Sequence, residues 1–122
     1  LFLINLNMKD SETLDEQWNK VIHYLRGRFG KKMDIKSILF VLGLNELDKK
    51  KDSYEKEEKM DLMNIGFCKV TSLSGYFKMT GTDEDGWPIW EQVKAVPRMS
   101  AKEQEQFIKQ HIVRHFEAET LI

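Results

Sequence analysis

Residues 34–47 read Asp34-Ile35-Lys36-Ser37-Ile38-Leu39-Phe40-Val41-Leu42-Gly43-Leu44-Asn45-Glu46-Leu47, and they form the most apolar stretch of the chain. The centre of this stretch, residues 38–44, carries no polar side chain. A buried strand would give a similar run, but the length of the stretch, its polar ends and Asp34 as an N-cap favour a helix. A helix that is apolar on all sides must be buried on most of them. We therefore expect a central helix here, with the other helices packed around it.

The length and composition of the chain indicate one folded domain. It has 122 residues, of which 41% are hydrophobic and 32% are charged, and this is enough for a core without a disulfide or a structural metal. The formal net charge is −1, so no bulk electrostatic field indicates a nucleic acid or membrane partner. We expect an N-terminal tail over residues 1–10 and a single helical domain over residues 11–122.

Cysteine use and hydropathy predict a cytoplasmic location without a membrane partner. The single cysteine, Cys68, cannot form an internal disulfide, which is typical of a reducing compartment. The apolar run Leu1-Phe2-Leu3-Ile4 is shorter than the core of a signal peptide, which has roughly 7–15 residues. No segment of the sequence reaches the roughly 20 apolar residues that a membrane span needs.

Two capping boxes mark the first and last helices. In this motif a Ser or Thr N-cap is followed three residues later by Glu. Thr13 and Glu16 open the first helix, and Ser100 and Glu103 open the last, which extends to about Ala118.

The third helix is predicted from Tyr54 to about Leu73, with Asp52 or Ser53 as its N-cap. Its apolar seam follows spacings of three and four residues at Met60, Met63, Phe67, Val70 and Ser74, and it is widened by Leu62, Ile65 and Leu73.

Gly43 lies inside the central helix, where glycine costs about 1 kcal/mol relative to alanine. A close approach by a neighbouring helix would compensate for this cost. The large side chains of Trp18 and Phe67 are the candidates for that contact.

The segment between the third and fourth helices differs in character, because aromatic residues flank an acidic turn. Asp85-Gly86 is a turn dipeptide, and the pattern predicts a short, irregular β-hairpin whose second arm Pro88 limits to an edge. Trp87 and Trp90 must attach this hairpin to the bundle, because an isolated hairpin is marginal in water. The predicted fold class is therefore mainly α: a compact bundle of about four helices with a small β-hairpin or aromatic loop between helices three and four.

Four strings of the sequence resemble a family of short, uncharacterised bacterial proteins. They are Ile38-Leu39-Phe40-Val41-Leu42-Gly43-Leu44-Asn45-Glu46-Leu47, Glu58-Lys59-Met60-Asp61-Leu62-Met63, Gly75-Tyr76-Phe77 and Asp83-Glu84-Asp85-Gly86-Trp87-Pro88-Ile89-Trp90. The last string is the most specific, because Trp and Gly cluster in it. The likeness spans residues 34–116; it implies a natural bacterial cytoplasmic domain and transfers no activity and no catalytic residue.

The aromatic and acidic residues of the hairpin segment are the first candidate for a functional surface. The candidate residues are Tyr76, Phe77, Asp83, Asp85, Trp87 and Trp90. Trp and Tyr dominate binding hot spots, so these residues suggest a surface that docks another protein. The alternative is that the aromatic side chains cap one end of the bundle. The acidic turn also resembles part of a calcium loop, but the terminal glutamate at EF-hand spacing is missing, and turn chemistry explains it better.

A local basic patch is the second candidate site. It consists of Arg26, Arg28, Lys31, Lys32 and Lys36. Clustered cations beside an aromatic residue, here Phe29, can hold a phosphate backbone, which makes nucleic acid a possible partner. The alternative is that these cations complement the dipole of the first helix.

His111 and His115 are the third candidate, because residues four apart on a helix share a face and can offer two imidazoles to one metal. Both positions fall inside the apolar arc of the last helix, which predicts at least partial burial. A third ligand could come from Asp83, Asp85, Cys68 or His23, but no local motif such as HExxH is present. Ordinary core or groove histidines are therefore the favoured alternative, and we expect no tight zinc binding.

The motif search assigns no catalytic residue and no cofactor, because the sequence has no Gly-rich phosphate loop, no GxSxG and no Cys/His nucleophile arrangement. Cys68 lies near an apolar seam, which predicts a buried, inert thiol. The favoured function is a small cytoplasmic interaction or accessory protein that docks another protein through the aromatic and acidic loop, rather than an enzyme. The alternatives are a nucleic-acid-associated protein and, third, a metal-dependent enzyme.

Overall fold

The fold is a bundle of helices with a β-hairpin inserted between the third and the fourth, which confirms the predicted fold class. A computed structural model describes residues 12–122, and the predicted tail over residues 1–10 lies outside them. The helices are α1 (Leu14–Phe29), α2 (Ile35–Leu44), α3 (Lys56–Thr71) and α4 (Ala101–Ala118), and the strands are β1 (Phe77–Thr82) and β2 (Pro88–Gln92). A 3₁₀ turn, Ser72–Ser74, connects α3 to the hairpin.

Capping geometry explains where α1 and α4 begin. The Thr13 hydroxyl accepts a hydrogen bond from the Glu16 N–H at 3.1 Å, and the Glu16 carboxylate accepts from the Thr13 N–H at 3.4 Å. Ser100 and Glu103 form the same reciprocal pair at 3.2 and 3.0 Å. Each box satisfies N–H groups that lack a partner within the helix, so both predicted helix starts are confirmed.

Helix α3 begins later than the sequence predicted. Its N-cap is Glu55, whose backbone N–H donates to the Glu58 carboxylate at 3.0 Å. Asp52 and Ser53 were therefore the wrong caps, although both are better N-cap residues than glutamate.

The predicted seam of α3 is buried in part, with Val70 and Ile65 covered as predicted. Met60 is 60% exposed and Leu73 is 43% exposed, whereas Leu62 is fully buried. The reason is tertiary: α2 lies against α3 at Leu62 and Gly66, so this side of the helix is the one covered.

Helices α2 and α3 approach each other so closely that their backbones touch. A Cβ atom on Gly43 would overlap the carbonyl group of Leu62, and one on Gly66 would overlap the carbonyl group of Leu39. The predicted close approach at Gly43 is thus confirmed. However, the nearest atoms belong to the backbone of α3 and not to the aromatic side chains that were predicted there.

The central element is α3 and not α2, which corrects the prediction from the apolar run. Helix α3 contacts α2, α4 and both strands, whereas α2 has an extensive backbone contact with α3 alone. Phe40, Val41 and Leu44 of α2 are only half-buried. Helix α3 therefore covers one side of α2, and the half-buried apolar side chains of α2 lie beside surface grooves.

Two clusters of apolar side chains form the core. The larger joins all four helices and includes Val21, Leu25, Ile38, Leu39, Val70, Ile112 and Phe116. The smaller is built on Leu47, Leu62 and Ile65, with Phe40, Leu44, Tyr54, Trp87 and Trp90 packed against it. The hairpin therefore rests on the smaller cluster.

The two strands pair antiparallel, with Lys78 opposite Glu91 and Met79 opposite Trp90. The register shifts between Met79 and Gly81, so one extra residue, Thr80, forms a bulge in β1. The predicted hairpin is confirmed, and its irregularity is this bulge.

Candidate functional site

Trp87 and Trp90 attach the hairpin to the helices, as the sequence predicted. The Trp87 ring meets the Tyr54 ring edge-on at a centroid distance of 6.5 Å, and Tyr54 meets Phe40 at the same distance. Trp90 packs against the smaller core cluster, and both tryptophans are half-buried. Much of the surface of each ring therefore contacts the domain itself and is not available to a partner.

The indole N–H of Trp90 is buried and has no hydrogen-bond partner among residues 12–122. A buried donor without a partner costs roughly 1–3 kcal/mol, because it loses its bond to water. Burial of the large ring must outweigh this cost, which shows that Trp90 contributes through apolar packing.

Tyr76 and Phe77 lie at the base of the hairpin and are half-buried. The Phe77 ring meets Phe67 of α3 at 6.1 Å, and the Tyr76 ring meets Phe107 of α4 at 5.5 Å. Lys94 Nζ lies 4.4 Å from the centroid of the Tyr76 ring, in cation–π geometry. These contacts orient the hairpin relative to α3 and α4.

The acidic turn is shaped by Asp83. Its carboxylate accepts hydrogen bonds from the N–H groups of Asp85 and Trp87, both at 2.9 Å, and Gly86 adopts a φ of 84°. The side chain of Asp83 therefore supports the turn, as turn chemistry predicts. Glu84 and Asp85 are exposed and form no salt bridge within the described chain.

An exposed side of the hairpin was missed by the sequence reasoning. Successive side chains of a strand alternate between faces, so Ile89 and Glu91 lie on the side opposite Trp90, with Lys78 paired across from Glu91. Val93 follows directly after the end of β2. Ile89 is 47% exposed and Val93 is 59% exposed. We call these four residues the outer face of the hairpin. The sequence signal for this face is the alternation of side chains along β2: because Trp90 faces the helices, its neighbours Ile89 and Glu91 face away from them.

The five residues of the basic patch all have exposed side chains at the end of α1 and the start of α2. Among the described residues, none of the five forms a salt bridge. Arg26 and Arg28 occupy the last turn of α1, where cations complement the helix dipole. Phe29, beside them, is 44% exposed. Both readings of the patch, as a dipole complement and as a contact for phosphate, agree with this geometry.

His111 is buried, with 4% exposure, and both of its ring nitrogens form hydrogen bonds. Nδ1 lies 2.8 Å from the Phe107 carbonyl oxygen and must donate to it. Nε2 lies 2.7 Å from the Ser74 hydroxyl, which in turn accepts from Arg114 at 2.8 Å. In the neutral ring, which the burial of His111 favours, Nε2 accepts a hydrogen bond from the Ser74 hydroxyl.

The pKa of His111 is lowered, mainly because burial disfavours the charged ring. The Phe107 carbonyl opposes this shift in pKa, and the positive charge of Arg114 adds to it. With both nitrogens engaged, His111 has no free lone pair for a metal in this arrangement.

His115 is half-buried, and burial lowers its pKa, with partial compensation by the negative charge of Glu119. It lies in a groove between helix ends and not beside the Ser74 network of His111. Between residues 12 and 122, no group of three or more His, Cys, Asp or Glu side chains is placed to hold a metal ion. The two histidines share one helix face but have separate surroundings.

Cys68 is 3% exposed, and burial raises the pKa of its thiol to about 11. The predicted burial of the thiol is confirmed, and the raised pKa disfavours the reactive thiolate.

These features define a small, mainly α domain with a hairpin held against its helices by two tryptophans. No protein-family model, no curated protein and no solved structure matches the chain. The resemblance to short bacterial proteins therefore stays a prediction. Of the helices in the described range, none has the length and apolar character needed to cross a membrane.

Proposed function

We propose that this domain is an interaction module that binds another protein on the outer face of its hairpin. The observation that carries the proposal is that neighbouring side chains of β2, and of the segment that follows it, have different surroundings. Trp90 faces the helices and packs there, whereas Ile89 and Val93 face solvent. Exposed apolar side chains on a supported strand are available to a partner without any rearrangement of the domain.

The charges beside this face indicate the chemistry of the partner. Glu84 and Asp85 stand at the turn end of the hairpin, exposed and without salt bridges in the described part of the chain. A partner segment with apolar side chains at its centre and Lys or Arg at one end would complement both features. In this proposal Tyr76, Phe77, Asp83, Trp87 and Trp90 position the surface, and Asp85 contacts the partner directly.

The test is affinity capture from native cells with the whole chain as bait, before and after nuclease treatment. We expect a nuclease-resistant partner that is lost with Ile89→Lys and with Val93→Lys, while the melting temperature stays unchanged. Met60→Lys is the matched control, because Met60 is 60% exposed on α3 and is not part of the outer face. Equal capture by all three variants would contradict the proposal.

Charge reversal tests the acidic end separately. Glu84→Lys with Asp85→Lys should weaken capture of the same partner, whereas Glu57→Lys, exposed at the start of α3, should not. Asp83 is left intact in this experiment because its carboxylate supports the turn.

Nucleic acid binding is the second candidate, and one observation favours it. The five cations of the basic patch are exposed around the half-exposed Phe29, and none of them has a salt bridge in residues 12–122. Retention on RNA or DNA that falls steeply with salt and is abolished by Arg26→Glu with Arg28→Glu would support this function. Lys102→Glu, exposed on α4, is the control.

A cytoplasmic location forms part of the proposal. It is supported by the single, unpaired and buried Cys68. The third candidate, a metal-dependent enzyme at His111 and His115, has no supporting observation among the described residues, and we do not propose it.

A further inference from the structure

A cavity of about 760 Å³ lies where the C-terminal ends of three helices meet, on a part of the surface that does not include the hairpin. Phe29 comes from the last turn of α1, Leu44 from the end of α2, and His115 and Phe116 from the last turns of α4. Its volume falls within the range of roughly 300–1,000 Å³ that is typical of small-molecule sites.

The formal charges that line the cavity balance. Arg28 and Lys69 are positive, and Glu46 and Glu119 are negative. Lys69 is already paired with Glu46 at 3.2 Å, and Arg28 belongs to the last turn of α1, where it complements that helix end. Glu119 forms no salt bridge within the described chain, so its carboxylate is the charge available to a ligand.

The helix ends shift this balance towards negative potential. Each helix C-terminus carries the equivalent of about half a negative charge. The last turn of α2 has no basic residue, and that of α4 has only His115, which burial keeps neutral at pH 7 by lowering its pKa. Two of the three helix ends at the cavity therefore lack a compensating cation.

The walls suit a cation that carries an apolar body. Phe29, which is 44% exposed, and the half-buried Tyr24 contribute aromatic rings, whose faces attract cations. The accessible aliphatic surface comes from Val41, Leu44 and Leu121. Carboxylate, helix ends and aromatic faces all favour positive charge.

We propose that this cavity binds a small organic cation, an amine whose ammonium group lies near Glu119 and the ends of α2 and α4. Its apolar body packs against Phe29 and Leu44, which the core leaves partly exposed. This site is independent of the protein partner proposed above, because no residue of the outer face lines it.

The test uses three probes of similar size and different charge: 2-phenylethylamine, 2-phenylethanol and 3-phenylpropionate. Each is titrated into the whole isotope-labelled chain and followed by NMR. We expect the amine to shift the amide signals of the cavity residues saturably. We also expect its Kd to be about tenfold lower than that of the alcohol, with the carboxylate weakest of the three.

Two variants locate the charge. Glu119→Gln should raise the Kd of the amine about two- to fivefold, the range expected for an exposed ion pair, while leaving the alcohol unchanged. Glu117→Gln, on α4 but outside the cavity lining, should leave both unchanged. Glu119 is exposed, so its variant should remain folded, which the amide spectrum verifies directly.

Three outcomes would overturn the proposal: no saturable shift with the amine, binding of the carboxylate as tight as that of the amine, or an amine Kd that Glu119→Gln leaves unchanged. Shifts confined to the hairpin would likewise place the amine elsewhere.

Discussion

Gly43 of α2 and Gly66 of α3 face each other where the two helices touch, and a Cβ atom on Gly43 would lie 3.2 Å from the backbone nitrogen of Gly66. The relationship is reciprocal, because each glycine makes room for a carbonyl group of the opposite helix. Absence of a side chain at both positions lets the two backbones approach until they touch.

Alanine at Gly43 should destabilise the domain. The added Cβ would overlap the Leu62 carbonyl, which cannot move without displacing α3. We expect a loss of about 2–4 kcal/mol in the free energy of unfolding, as for other overpacked cores. Urea unfolding measures it, and Gly66→Ala should behave in the same way.

The control is Gly27→Ala in α1, where a Cβ would meet nothing within 4 Å. Because glycine is a poor helix residue, this change should stabilise the domain by about 0.5–1 kcal/mol. A Gly43→Ala variant as stable as the wild type would contradict the prediction, because α2 and α3 would then be able to separate enough to accept the added Cβ atom.

Substitutions at Trp90 should separate packing from hydrogen bonding. Trp90→Ala should cost about 2–4 kcal/mol in the free energy of unfolding, because it removes a large ring from the smaller core cluster. Trp90→Phe should cost less than about 1 kcal/mol, because it keeps an aromatic ring and removes a buried N–H without a partner. Urea unfolding of both variants is the measurement. A large loss with Trp90→Phe would mean that the indole N–H has a bonded partner in solution.

Stability should decrease as the pH falls below about 6.5, the ordinary pKa of histidine. The pKa values of His111 and His115 are lowered in the folded state, so the unfolded chain takes up protons first. Their contribution is therefore complete above the unfolded pKa and is lost as the pH falls through the folded values. Unfolding free energies measured across this range should show a smaller slope in the double variant His111→Gln, His115→Gln.

The capping carboxylates act in a more acidic window. Hydrogen bonds from backbone N–H groups lower the pKa of Asp34 and of Glu103. Their contribution is present above the unfolded pKa values of 3.8 and 4.5 and is lost as the pH falls through the folded ones. A stability profile that is flat from pH 7 to pH 5 and falls only in this acidic range would contradict the histidine prediction.

The neutral ring of His111 should carry its proton on Nδ1. The Phe107 carbonyl accepts only from a protonated Nδ1, which leaves Nε2 to accept from Ser74. The ¹⁵N chemical shifts of the ring distinguish the two tautomers directly. Ser74→Ala should change the Nε2 shift and leave the tautomer intact, whereas a proton found on Nε2 would reverse the direction of this network.

Cys68 should be unreactive in the folded protein. With a pKa of about 11, only about one thiol in a thousand is ionised at pH 8, and the sulfur is buried as well. A thiol-reactive dye should label it completely in urea and negligibly in buffer. Rapid labelling of the native chain would place Cys68 at the surface.

N-cap residues predicted the start of a helix correctly where only one good candidate was present. Thr13 and Ser100 were identified from the capping box alone. At α3 the same reasoning failed, because Asp52 and Ser53 are good caps that precede a weaker one. Glu55 takes the role since the chain before it is held in an extended connection, with the Lys51 N–H donating to the Tyr54 hydroxyl at 2.9 Å.

Tertiary contacts decided what periodicity left open. Gly43 indicated a close approach, but only the fold shows that Gly66 supplies the other half of it. Met60 continues the apolar period of α3 and nevertheless stays in solvent, because α2 covers the face that contains Leu62. Apolar residues at helical spacing show that a helix has a face to bury. They do not determine which side of the helix its neighbours cover.

The sequence predicted which segments form the candidate site but not which of their side chains face solvent. Composition identified a hairpin attached by Trp87 and Trp90, whereas the outward direction of Ile89 depends on the register of the two strands. The cavity between helix ends had no signal in the sequence, because its lining comes from segments far apart in the chain.

The bulge at Thr80 has a consequence for how copies of this chain behave towards one another. A two-stranded sheet presents two open edges among the described residues, and open edges beside apolar side chains invite stacking of strands into fibrils. Here the bulge breaks the regular repeat of β1, Lys78 adds a charge within it, and Pro88 removes a donor from β2. These features disfavour pairing of the hairpin edges between copies of the chain, although Ile89 and Val93 are exposed beside those edges.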